Sequence, residues 1–135
     1  MAKSFTAQLD EWSRKTDGRL RTLFHESAKG VAETASTPVQ QGGHLPYEKG
    51  NLQRSLAVST IGPIKMLWGV KEFHGTRQAV EDVIESAEIG QTVWIGFQAI
   101  YARKAEDKHG FVRLAAQQWQ VIVVNAAGRA KRIHP

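Results

Sequence analysis

Apolar residues alternate with small or polar ones in one stretch and recur every third or fourth position in others, and that contrast predicts the elements. Across residues 91–98, Val93, Ile95 and Phe97 alternate with Thr92, Trp94 and Gly96, the period of a strand with two unlike faces. Residues 103–110 are too charged to bury and read as a polar crossing. Phe111 then opens a helix with no Gly or Pro before Gly128. Phe111, Leu114, Ala115, Gln118 and Ile122 form one stripe, and Val112, Ala116, Trp119 and Val123 form a second beside it. Only Arg113, Gln117 and Gln120 mark a wet face. A surface helix of a monomer usually carries one apolar arc of about 100° or a little more. This one either crosses the centre of a core or shares a face with another subunit, and in a short chain both readings stand.

Helical spacing also organises the first quarter of the chain. Phe5, Leu9, Trp12, Leu20, Leu23, Phe24, Val31 and Ala35 recur at three- and four-residue steps, with Thr16 and Ser27 filling the gaps. Gly18 and Gly30 each cost such a helix about 1 kcal/mol relative to Ala, so a bend is expected near Asp17-Gly18. Ser36-Thr37-Pro38 ends it. Residues 40–46 read as a loop without structure of its own, and residues 47–52 as a turn into a strand over residues 53–61. Gly62-Pro63 breaks that strand, and residues 64–70 read as a second short one. Thr76 caps a short helix with Val80, Val83, Ile84 and Ala87 on one face and Glu81, Asp82, Glu85 and Glu88 on the other. Gly90 is its stop. The expected fold is one α+β domain spanning residues 1–135. It comprises a long N-terminal helix, a small antiparallel sheet, a short middle helix and a C-terminal helix packed on the sheet.

Charge sharpens this picture. The 135 residues carry a formal net charge of +5, but residues 76–100 sum to −3 and residues 101–135 to +5. Such asymmetry suits a nucleic-acid-facing end or subunits that stack acidic on basic, beside the ordinary reading of solvated charge. Part of the basic tail also needs no function, because cations favour a helix C-terminus. No cysteine is present, so neither a disulfide framework nor a thiolate metal site is available. The N-terminal residues show no signal-peptide pattern, and no run of about 18 apolar residues predicts a membrane span.

Candidate chemistry is sparse. The phosphate-cradling, dinucleotide-binding, nucleophile-elbow and zinc-protease motifs are all missing. His25, His44, His74, His109 and His134 lie far apart at no metal-ligand spacing. The adjacent carboxylates Glu106-Asp107 are of a kind that can hold a cation or work as acid and base, yet their neighbours Arg103, Lys104 and Lys108 favour solvated ion pairs. No catalytic residue, cofactor or metal is expected. Arg129, Lys131 and Arg132, with Trp119 and Tyr101 in the same region of the chain, can track a DNA backbone without reading its sequence.

One ordered set of residues goes further. Thr37-Pro38-Val39, the block Pro46-Tyr47-Glu48-Lys49-Gly50-Asn51-Leu52-Gln53-Arg54-Ser55-Leu56, the stretch from Glu88 to Gly96, Tyr101-Ala102-Arg103, and the run from Phe111 to Gln120 follow one another along nearly the whole chain. In that order they resemble the tail-completion, or neck, proteins of long-tailed bacteriophages. Glu48-Lys49 stands where members typically carry Asp-Thr, whereas Gly50, Leu52 and Ser55 keep the turn. Residues 105–110 also depart from the Val-Glu-Tyr-Gly that members tend to have.

The resemblance implies a non-enzymatic virion part at the head-tail junction, made in the host cytoplasm. It would form a homo-oligomeric ring that helps DNA-filled heads join tails. Its partners would be itself, the neighbouring neck, adaptor and tail proteins, and the DNA backbone in the lumen, with no membrane involved. Phe111, Leu114, Trp119 and Ile122 are the expected core or interface anchors, and Arg129, Lys131 and Arg132 the expected DNA or partner contacts. Two other readings stand beside it: a tail terminator that caps the tail tube, and a small basic nucleic-acid-binding protein.

Overall fold

A computed structural model describes residues 4–135. Helix α1, Phe5–Ser36, is uninterrupted through both glycines, and the Ser4 hydroxyl caps it by accepting from the Ala7 N–H at 3.2 Å. Helix α2, Asn51–Arg54, and strand β1, Leu56–Ser59, replace the single strand expected over residues 53–61. Helix α3 spans Arg77–Ser86 and strand β2 Trp94–Phe97. Then come α4, Ala102–His109, α5, Phe111–Gln117, and α6, Trp119–Ile133. Strands β1 and β2 pair antiparallel, with Leu56 opposite Phe97 and Ser59 opposite Trp94. The α+β class and the long N-terminal helix are as expected.

The core sits around the second half of α1. One cluster gathers Ala35, Leu45, Leu52, Phe73, Phe97, Ala99, Ala102, Phe111 and Ala115. Phe97 and Phe111 meet edge to face with ring centroids 5.1 Å apart, a preferred aromatic geometry, which sets the start of the C-terminal helical region against the sheet. A second cluster joins Ala32, Val80 and Ile84, with Val58, Val93 and Ile95 packed against it. Leu56 touches both. The amphipathic reading of α3 holds in space: its apolar stripe faces this core, and Thr76 caps it by accepting from the Ala79 N–H at 3.1 Å.

Helix α6 lies antiparallel along α1, and here small residues set the distance. Ile122, Ala126 and Ala130, at four-residue steps, form its buried stripe. A Cβ built on Gly30 would stand 2.6 Å from Ile122 Cγ2, and one on Gly18 would stand 2.9 Å from the His134 ring. Both glycines are therefore contact points rather than bends, which corrects the expected kink. Polar links fix the register: Arg129 pairs with Glu26 at 3.2 Å, Arg19 donates to the His134 carbonyl at 2.6 Å, and Thr22 Oγ1 bonds His134 Nε2 at 3.0 Å.

Four other expectations are corrected. The charged crossing is helix α4, because Tyr101 starts a turn and Gly110, at φ +63°, both ends α4 and opens α5. The single helix expected from Phe111 is two, parted at Gln118, and α6 runs through Gly128 to Ile133. Residues 40–46 are not free of structure: the Leu45 N–H donates to the Thr37 carbonyl, the Val39 N–H donates to the Leu45 carbonyl, and Leu45 is fully buried. Residues 64–70 form no strand; Ile64 packs over Gly96 of β2, and the Leu67 N–H donates to the Gln98 carbonyl just past that strand, before Gly69 turns the chain at φ +83°.

Candidate functional site

The residues expected to shape the turn converge. Gly50 takes φ +78° and precedes α2, a conformation that favours glycine. Leu52 enters the main core, and the buried Ser55 donates its hydroxyl to the Leu52 carbonyl at 2.7 Å. The Ser55 carbonyl then accepts from the Gln98 N–H, so the turn leads straight into the sheet. Asn51 adds a second tie. Its Oδ1 accepts from the Phe73 N–H at 2.8 Å while its Nδ2 donates to the Lys71 carbonyl and the Tyr101 hydroxyl.

The four expected anchors divide by burial. Phe111 and Ile122 are buried, Leu114 is half-buried, and Trp119 is 50% exposed. Trp119 therefore lies at the surface, not in the core. With it on the outside of α6 stand Val121 and Val124, also exposed.

A larger uncovered surface lies on α1. Residues 5–15 are all exposed, including Phe5 at 75% and Trp12 at 66%. Helix α6 ends beside Gly18, so about 13 residues of α1, roughly 20 Å at 1.5 Å per residue, extend past it. Phe5, Leu9 and Trp12 lie on one helix face, at the four- and three-residue steps that continue through Leu20 and Leu23 into the buried Ser27. The stripe that packs downstream thus runs on upstream with nothing against it among the described residues.

A third apolar surface was missed at the sequence level. The loop between β1 and α3 exposes Ile61 at 94% and Trp68 at 77%, with Met66 and Leu67 less so. Its signal was present in Gly62-Pro63 and Trp68-Gly69, which punctuate a loop more than they delimit a strand.

Charge is distributed differently from expectation. Much of the acidic α3 face is engaged within the chain: Lys29 meets Glu85 at 2.6 Å, and Arg77 bridges Glu81 at 3.0 Å and Glu33 at 3.2 Å. The Glu81 hydrogen bond, followed by the charge of Glu33, raises the Arg77 pKa above its ordinary value. Of the three expected DNA contacts, Arg129 is committed to Glu26, while Lys131 and Arg132 are exposed in the last turn of α6. The Glu106 carboxylate caps α5, accepting from Val112 N–H at 2.8 Å and Arg113 N–H at 3.0 Å, a positional role that sequence adjacency to Asp107 conceals.

Among the described residues two concavities stand out. The smaller, about 240 Å³, lies between α1 and α3 and is lined by the paired Lys29, Glu33, Arg77 and Glu81. The larger, about 630 Å³, opens between residues 46–52 and the α4 face carrying Tyr101, Lys104, Lys108 and His109. Among the described residues no three His, Asp or Glu side chains converge as a metal site, and no helix is long and apolar enough to cross a membrane. Comparison with known proteins returns no matching family model, no matching curated protein and no matching solved structure.

Proposed function

We propose that this chain is a non-enzymatic structural subunit of a phage head-tail junction, one that assembles as a ring and helps DNA-filled heads join tails. The observation that carries the reading is the uncovered apolar stripe of Phe5, Leu9 and Trp12 on the projecting half of α1. Such a helix face is stabilised only when something covers it. Trp119, Val121 and Val124 on α6, and Trp68 on the β1–α3 loop, offer further apolar contacts away from the core. A subunit with separate patches can make heterologous contacts, which close into rings when the rotation allows. The ordered motif set from Thr37 to Gln120 points to the same role.

Salt-insensitive assembly is expected, because apolar contacts and not the largely self-paired α3 charges would hold the subunits. The test is electron microscopy of lysates from a phage in which this chain alone is truncated. DNA-filled heads lying apart from tails of normal length are the expected result. Abnormally long tails would make it a tail terminator instead, and intact joined particles would overturn the reading.

A further inference from the structure

The cleft between residues 46–52 and α4 has a composition that none of the assembly surfaces shares. One wall is a single helix face, with Tyr101, Lys104, Ala105, Lys108 and His109 at three- and four-residue steps. Leu52, Ala105 and Pro46 supply apolar lining, and Tyr47 and Tyr101 are both partly exposed at its edge. Lys49, Lys104 and Lys108 line it against a single carboxylate, Glu48. Elsewhere Lys29, Arg77 and Arg129 are held by acidic partners, but among the described residues none of these three lysines has one. Three cations over an apolar floor call for a ligand that is anionic and flat.

The walls are also held in place. The Tyr101 hydroxyl accepts from Asn51 Nδ2 at 3.0 Å, and Asn51 is itself tied to Phe73 and Lys71. A Cβ on Gly50 would lie 2.7 Å from the Tyr47 hydroxyl, so the glycine lets that ring lie close over the turn. At about 630 Å³ the cleft is larger than a lone phosphate needs and falls in the range of about 300–1,000 Å³ typical of small-ligand sites.

We propose that this cleft binds a nucleotide unit, with the base against the tyrosines and the phosphate at Lys104 and Lys108. The unit is supplied either by single-stranded nucleic acid or by a free nucleotide. Duplex DNA fits less well, since its bases are already stacked and only its phosphates remain for the lysines. The site does not depend on the chain belonging to a neck ring, so either reading can fail without the other.

The test uses the full chain and fluorescence anisotropy with a labelled dodecamer of deoxythymidylate, a duplex of the same length, and thymidine monophosphate as competitor. The single strand is expected to bind at least tenfold more tightly than the duplex. Lys104→Gln with Lys108→Gln should weaken it tenfold or more and flatten the salt dependence by about 1.4 in log-log slope, from about 0.7 per phosphate contact in single strands. Tyr47→Ala should weaken it about 5- to 160-fold, the range for one stacked base. Lys15→Gln with Lys65→Gln, two exposed lysines that do not line the cleft, should change it less than twofold. Competition by the mononucleotide at matched nucleotide concentration assigns the site to free nucleotides, and competition by chains alone assigns it to a strand. Equal affinity for duplex and single strand, no binding at low salt, indifference to the cleft variants, or equal displacement by oligoglutamate would each overturn the proposal. Far-UV circular dichroism of the variants separates these outcomes from loss of fold.

Discussion

Replacing Gly30 or Gly18 with Ala makes the same chemical change on the same helix but should have different consequences. Each substitution gains about 1 kcal/mol of helix propensity. At position 30 the new Cβ would stand 2.6 Å from Ile122 Cγ2, far inside the optimal carbon–carbon separation of about 3.5–4.0 Å. Ile122 is buried and β-branched on a helix, so its χ1 cannot rotate away cheaply. Overpacking of this kind costs about 1–3 kcal/mol, which leaves Gly30→Ala about 0–2 kcal/mol less stable than the parent. At position 18 the obstacle is the ring of His134, which caps α6 from outside its last turn and can swing outward. Doing so gives up the Thr22–His134 hydrogen bond, a loss of about 1 kcal/mol that cancels the propensity gain. Urea titration followed by far-UV circular dichroism should therefore place the Gly30→Ala midpoint below that of Gly18→Ala by up to about 1 M, for an m-value near ~2 kcal/mol/M. A Gly30→Ala midpoint above the Gly18→Ala midpoint would refute the close approach of α6 to α1.

Other substitutions separate roles that burial distinguishes. Phe111→Ala should cost about 3–5 kcal/mol in the same titration, since the ring is buried against Phe97. Trp119→Ala should change monomer stability by less than about 0.5 kcal/mol yet lower the mass seen by sedimentation at high concentration; unchanged mass would remove Trp119 from the interface. Ser55→Ala should destabilise by about 1 kcal/mol by losing its bond to Leu52, whereas Ser27→Ala should be neutral or stabilising. The buried Ser27 hydroxyl has no partner among the described residues, and equal losses at the two serines would contradict that difference. Glu106→Gln should cost about 0.5–2 kcal/mol by weakening the cap of α5, and an unchanged midpoint would show that the cap contributes nothing.

Periodicity made the helices legible wherever one face meets the core. α1 lies within a residue of its expected position and α3 starts at the expected Thr76 cap, because Val31, Ala35, Val80 and Ile84 recur at the spacing that packing requires; α3 ends at Ser86 with Ala87 as its cap, short of the expected stop at Gly90. The turn at Gly50, Leu52 and Ser55 was legible because each residue does something its type does well: positive φ, burial, and a hydroxyl folded back on the main chain. Helix α4 was hidden for the opposite reason. It buries little beyond Ala102, so charge dominates its sequence and only its bounding turns reveal a helix. The break at Gln118 has no Gly or Pro to announce it; Ala115 and Ile122 lie on opposite sides of it, the first in the main core and the second against α1. The lysine cleft was illegible because Lys49 and Lys104 are brought together by the packing of α4, which no local pattern encodes.

The projecting half of α1 gives one helix two different lifetimes. Amides after residue 18 are shielded by α6 and the core and should exchange with solvent only on large-scale opening, while those before it belong to a segment too short to persist alone in water. Covering Phe5, Leu9 and Trp12 would slow exchange in the first half and leave the second unchanged. Deuterium uptake over residues 5–17 would thus gauge how much of that stripe a partner covers.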